Sequence, residues 1–157
     1  MLIIIPAKNY SRRLKRKNFL KVGGISLFKR TILFAKKIFP RAEILVSSNS
    51  RLIVKIAIKN NCLAPFLRPK SLCKNNTTMY SVVSHAVKYY EKKYNKIVSS
   101  ILLLQPTTPF RNLVLIRKAI LQFLKTRNTI ISVNKIHVLS NKIFEEKKNF
   151  LKFFKSS

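Results

Sequence analysis

The feature that most constrains this chain is its opening run, Leu2-Ile3-Ile4-Ile5-Pro6, followed at once by a loop with six cations in ten residues. A short, unbroken aliphatic run reads as a buried strand. Pro6 ends it, because proline has no N–H to give to a ladder. In an open parallel sheet, ligands bind beyond the carboxyl ends of the strands. The loop from Lys8 to Asn18 therefore starts where a ligand is expected. It holds Lys8, Arg12, Arg13, Lys15, Arg16 and Lys17, the hydroxyls of Tyr10 and Ser11, and no acid. Cations of this kind offset polyphosphate charge, and loop N–H groups bond its oxygens. Composition alone favours the plainer reading, a solvated basic loop.

The rest of the chain supplies the sheet. Gly23-Gly24 marks a turn, and Ile25 to Phe39 has helical spacing, with Ile25, Phe28, Ile32, Ala35 and Phe39 on one face and Pro40 as the stop. Glu43 to Ser47 is a second strand, leading to a short helix through Leu52, Ile53, Ile56 and Ala57. Leu63 to Leu67 is a weak extended segment. Met79, Val82, Val83, Ala86, Val87 and Tyr90 recur at helical spacing. Ser99 to Gln105 reads as the clearest buried strand of the chain. Leu113 to Leu124 is a fourth helix and Thr129 to Val133 a further strand. Strands alternating with helices predict a mostly parallel sheet covered on both faces, an α/β sandwich. No repeat or linker divides the chain, so 1–157 reads as a single domain. The segment 141–154 is either a β-hairpin appended to that domain or one basic, aromatic helix.

Composition narrows the function classes. There are 33 Lys+Arg against 4 Asp+Glu, a net charge of +29, and no aspartate at all. The acids are Glu43, Glu91, Glu145 and Glu146. A hydrophobic content of 47% excludes a disordered basic tail. The charge predicts non-specific binding to polyanions that weakens as salt rises. It also fits drift in an AT-rich genome, given the abundance of Lys, Asn, Ile and Phe. Cys62 and Cys73 have no metal-ligand spacing and read as free thiols. No apolar stretch is long enough to cross a membrane, and the N-terminus has no signal-peptide pattern, so a cytoplasmic protein is expected.

Three loops follow strands on one sheet edge: Lys8 to Asn18, Ser47-Ser48-Asn49, and Gln105-Pro106-Thr107-Thr108-Pro109-Phe110-Arg111. In order, Ile5-Pro6-Ala7-Lys8, Ser11-Arg12, Lys17-Asn18, Gly24-Ile25-Ser26-Leu27, Val46-Ser47-Ser48-Asn49, Phe66-Leu67-Arg68-Pro69, His85-Ala86 and Leu103 to Arg111 resemble the signature motifs of the acylneuraminate cytidylyltransferases. The resemblance covers roughly residues 2 to 135. It implies a Rossmann-like three-layer α/β/α sandwich of the nucleotide-diphospho-sugar transferase type. It also implies a reaction in which a sialic-acid-like sugar acid attacks CTP, giving CMP-sugar and pyrophosphate.

Carried over by the motifs, Lys8, Ser11, Arg12 and Lys17 hold the triphosphate, with Arg12 and Lys17 as the catalytic cations. Asn18 and Arg68 contact the cytidine, and Gln105, Thr107 and Thr108 hold the sugar acid. The chain departs from the family at Lys8, where the family has arginine, and at Asn49, where it has aspartate. Arg13 and Met79 replace small residues. The resemblance implies Mg²⁺, yet the aspartates that hold it lie toward the family's C-terminus and have no counterpart here. The chain thus resembles the family's N-terminal, nucleotide-binding part. Its expected partners are CTP, a sugar acid, and a homodimer mate or complementing polypeptide. Two alternatives stand beside an active enzyme: a degenerate nucleotide-binding remnant, and a basic RNA- or DNA-binding protein, which predicts cations gathered on one face.

Overall fold

In the computed structural model, described for residues 1–10, 14–133, 144–147 and 150–153, the chain forms two compact units, 1–117 and 118–157. The first unit is built on strand β1, Leu2–Pro6. Its five residues are all buried. Odd and even residues point to opposite sides. Ile3 and Ile5 join Phe28, Ile32, Ala35, Ile53 and Ala57, whereas Leu2 and Ile4 join Ala86 and Tyr90. Complete burial of each isoleucine contributes about 1.5–3 kcal/mol.

Helix α1 (Leu27–Ile38) and helix α2 (Arg51–Lys59) cover the first face, and α3 (Met79–Tyr94) covers the second. Each starts on a hydroxyl cap. Ser26 Oγ accepts from the Lys29 N–H at 3.3 Å, Ser50 Oγ from Ile53 at 3.4 Å, and Thr78 Oγ1 from Ser81 at 3.1 Å. Such caps contribute about 1 kcal/mol each. Lys36 and Lys37 in the last turn of α1, and Lys92 and Lys93 in that of α3, complement the helix dipoles.

A two-residue hairpin precedes α1. Strands β2 (Lys21–Val22) and β3 (Ile25–Ser26) pair antiparallel around Gly23-Gly24. Both glycines have positive φ, 56° and 74°, which a two-residue hairpin turn requires. The central sheet has the order β4-β1-β5, with β4 at Ile44–Ser47 and β5 at Ile101–Leu103, all parallel. Ile5 lies opposite Val46, and Ile4 opposite Leu103. Parallel strands with helices on both faces are the expected α/β/α arrangement.

Two expectations need correction. The run 99–105 is not the most buried strand. Its paired part is only 101–103, Ile101 is 40% exposed, and no described strand lies on its outer side. An apolar run does not reveal whether both of its edges find neighbours. Residues 129–133 form no strand, since they have nothing to pair with among the described residues, and Ile131 and Val133 are exposed.

Helix α4, Leu113–Thr126, runs across the boundary between the units. In the second unit, β6 (Phe144–Lys147) and β7 (Phe150–Phe153) pair antiparallel, with Phe144 opposite Phe153. The backbone there takes the hairpin form; the rest of 141–154 lies outside the described residues. No helix among the described residues is long and apolar enough to cross a membrane.

Candidate active site

Strand order fixes where a ligand fits. From β1 the chain crosses to β4 on one side, then returns to β5 on the other. The loops leaving β1 and β5 both start at the carboxyl edge of the sheet, where a ligand crevice is expected at such a switch point. Its two walls begin with the loops after Pro6 and after Leu103.

The first wall is pinned to its neighbour and to itself. The Ala7 N–H donates to the Ser47 carbonyl at 2.9 Å, and the Asn9 N–H to Asn49 Oδ1 at 2.8 Å. Asn49, where the related motif has aspartate, thus still accepts a loop N–H. Asn18 Nδ2 donates to the Lys8 carbonyl at 2.8 Å and draws the two ends of the basic loop together. Lys8 and Lys17 are half-buried, Lys17 in a 3-10 turn over Lys17–Phe19. Arg16 precedes it in the left-handed region, at φ 51°. Ser11 and Arg12 lie outside the described residues.

Arg68 is the least expected feature of this wall. It is 5% exposed, and it faces hydroxyl and carbonyl oxygens rather than a carboxylate. Its Nε donates to Ser47 Oγ at 3.0 Å, its Nη2 donates to the Ser47 carbonyl, and its backbone N–H donates to the Ser48 carbonyl at 2.8 Å. Burial pulls its pKa below the usual arginine value, and nearby Cys73 works in the opposite direction. A guanidinium has five N–H donors, and these side-chain bonds use two of them. His85 sits edge-on to Phe66, with ring centroids 4.9 Å apart, and its Nδ1 is buried without a partner among the described residues. Burial, and then the Arg68 charge, depress its pKa, so the ring stays neutral. Sequence motifs include Arg68 and His85, but 21 residues separate Arg68 from Ser47, and no local pattern signals that contact.

The second wall presents Gln105, Thr107 and Thr108, all exposed, at the end of β5. The Gln105 carbonyl accepts from the Thr108 N–H at 3.2 Å and from Arg111 Nη2, which closes the Pro106-Thr107 turn. Arg111 also stacks over Phe34 of α1, 5.5 Å from the ring centroid. Reasoning from sequence assigns Arg111 no role, although it closes the motif.

Glu43 and Glu91 are elsewhere. Glu43 precedes β4, at the opposite end of the sheet, where it accepts from the Tyr90 hydroxyl and pairs with Lys96 at 3.2 Å. Glu91 accepts the Val98 N–H at 3.0 Å. No group of three His, Cys, Asp or Glu side chains gathers among the described residues. Mg²⁺ takes hard oxygen ligands, usually carboxylates. The described residues of the crevice are cations, hydroxyls and amides, and do not fit that requirement.

Comparison with known proteins bears on this geometry. Residues 2–153 match the family model described as cytidylyltransferase. The chain is 32% identical to CMP-N,N'-diacetyllegionaminic acid synthase of Legionella pneumophila, over 87% of this chain and 58% of that protein. It is 29% identical to a pseudaminic acid cytidylyltransferase of Campylobacter jejuni, over 81% and 54% respectively. A solved structure of CMP:2-keto-3-deoxy-manno-octonic acid synthetase complexed with CTP has the same fold, with a TM-score of 0.61 at 17% identity, covering 80% of this chain and 48% of that one. The chain thus spans about half the length of these proteins.

Proposed function

Because this chain belongs to the cytidylyltransferase family, we propose that its crevice binds CTP and presents the α-phosphate to a sialic-acid-like sugar acid. Lys8, Ser11, Arg12 and Lys17 take the triphosphate, with Arg12 and Lys17 offsetting the charge that develops as pyrophosphate leaves. Asn18 and Arg68 serve the cytidine, and Gln105, Thr107 and Thr108 hold the sugar acid. In the reaction, the sugar hydroxyl oxygen bonds to the α-phosphorus, the bond to the bridging oxygen of pyrophosphate breaks, and the hydroxyl proton leaves to solvent. Catalysis of this kind depends mainly on positioning and charge neutralisation.

The observation that carries this reading is Arg68, a buried cation at the carboxyl end of β4 whose partners among the described residues are hydroxyl and carbonyl oxygens. A charge held without a counterion is destabilising unless a ligand completes its partners. The alternative of a nucleic-acid protein has less support. Exposed cations lie on all four helices, including Lys29, Lys55, Lys88 and Lys118, rather than on one face.

Calorimetric titration with CTP, UTP and ATP at physiological salt tests the assignment. CTP binds preferentially, and Lys17→Ala/Asn18→Ala weakens it by roughly tenfold or more, as expected for losing charge-assisted contacts. Equal CTP affinity in wild type and double variant overturns the site. With no described carboxylate among the proposed site residues, these 157 residues alone are expected to bind CTP but to release no pyrophosphate when a sugar acid and Mg²⁺ are added. CMP-sugar formed at ordinary enzymatic rates would refute that expectation.

A further inference from the structure

Two crossed arginine–phenylalanine pairs join α1 to the loop after β5. Arg30 of α1 lies over the ring of Phe110, 5.9 Å from its centroid. Arg111, the next residue of the loop, lies over Phe34, one helical turn beyond Arg30, at 5.5 Å. Helix and loop each contribute one cation and one ring. Each guanidinium also ends on a backbone carbonyl. Arg30 Nη2 donates to Val22, in the β2–β3 hairpin, and Arg111 Nη2 donates to Gln105.

This arrangement suits arginine specifically. A flat guanidinium stacks on a ring while donating in its own plane; a lysine ammonium does not do both. No carboxylate lines the adjoining groove of about 610 Å³, so neither arginine is held there by an ion pair. Arg30 Nε and Arg111 Nη1 are buried without hydrogen-bond partners among the described residues. Buried, unpaired donors are unfavourable, so these two nitrogens are held in place by the packing of the crossed pairs rather than by hydrogen bonds of their own.

The geometry points to Arg30 and Arg111 as positioning residues, which clasp the Gln105–Thr108 turn to the hairpin that follows the basic loop. One wall of the crevice is thereby fixed relative to the other. The clasp depends on the proposed function only for what those walls touch. Gly23 fits the same picture: a Cβ there would come within 3.4 Å of Arg30 Nη2 and force a side chain into a positive-φ turn.

Amide hydrogen exchange on the full chain, read residue by residue by NMR, tests this. Arg111→Met should speed exchange at Thr108 by roughly tenfold, the effect of losing one charge-assisted bond. It should also speed exchange across Lys21–Ser26, on the far side of the clasp, while Ile3 and Ile5 in β1 keep their protection. Arg111→Lys should behave like the methionine variant, because charge alone does not restore a stacked fork. Arg30→Met should give the mirror pattern, and Arg30→Met/Arg111→Met should be no worse than the more affected single variant. Phe34→Leu leaves both arginines in place and should report the same pattern where an arginine variant fails to fold. CTP affinity should stay within about threefold in Arg111→Met, since the nucleotide side is held by other residues.

Full rescue by lysine, an unchanged hairpin, or loss of protection spread through β1 and β4 overturns the clasp. Wild-type protein that binds no CTP would overturn the proposed function and leave the exchange result to decide the clasp.

Discussion

The two ends of the central sheet treat charge in opposite ways. At the amino end, Glu43 has two partners: Tyr90 donates its hydroxyl and Lys96 approaches to 3.2 Å. At the carboxyl end, the Arg68 guanidinium meets the Ser47 hydroxyl and carbonyl, and no described carboxylate pairs with it or with the half-buried Lys8 and Lys17. Both ends belong to the same three strands and the same strongly basic chain. Drift in composition alone does not explain a buried arginine without an acid at one end and a satisfied glutamate at the other. The paired end is internally satisfied; the unpaired end is where the proposed function seats the nucleotide.

The sharpest way to break that contrast is Arg68→Met. It should lower CTP affinity by roughly 10- to 100-fold, measured by calorimetry. It should cost about 1–3 kcal/mol of unfolding free energy, because the buried Ser47 hydroxyl loses its partner. A large loss of stability with unchanged CTP affinity would make Arg68 a structural residue. Next in size is a difference in thiol reactivity. Cys62 is 5% exposed in the core, and burial pushes its pKa up to about 11. Cys73 is half-buried beside Arg68. A thiol-labelling time course on native protein should modify Cys73 at least about tenfold faster.

Smaller effects belong to the paired end. Glu43→Gln should cost about 1 kcal/mol of stability in urea and leave CTP binding unchanged, since it weakens one hydrogen bond and one exposed ion pair. The Tyr90 hydroxyl, chiefly through burial and then through Glu43, has its pKa pushed up to about 12. A raised folded-state value means the stabilisation is fully present below the unfolded value of about 10 and is lost as pH rises toward 12. Urea midpoints taken from pH 9 to 12 should fall more steeply for wild type than for Tyr90→Phe. Glu43 carries the opposite sign. The Tyr90 hydrogen bond is the main cause that lowers its pKa, so its contribution is present above about 4.5 and fades as pH drops through the lower folded-state value.

Much of this frame is legible in the sequence. Leu2 to Ile5 marks the central strand, and the helical faces follow from spacing. The limits are physical. The β2–β3 hairpin has two-residue strands, too short to show alternation, so only its Gly23-Gly24 turn is visible. The apolar run before Gln105 looks like a sheet centre but forms the outer strand, because hydrophobicity does not say what lies alongside. Residues 129–133 have strand composition without a partner. For the proposed site, motif spacing alone supplies the candidates Lys17, Asn18, Arg68 and Gln105. The Arg68–Ser47 contact and the Arg30–Phe110 and Arg111–Phe34 crossings join residues far apart in the chain, and no periodicity encodes them.

The order β4-β1-β5 also has a consequence for synthesis. β1 occupies the centre, so both its edges must be filled, yet Leu2 is paired with Ile101. Roughly 100 further residues must leave the ribosome first, about 5–20 seconds of translation at ordinary rates. Through that interval Leu-Ile-Ile-Ile is an apolar strand with an open edge, a hazard for self-association. The dense positive charge that immediately follows it is of the kind that opposes such association by repulsion until β5, the last described strand of this sheet, is available.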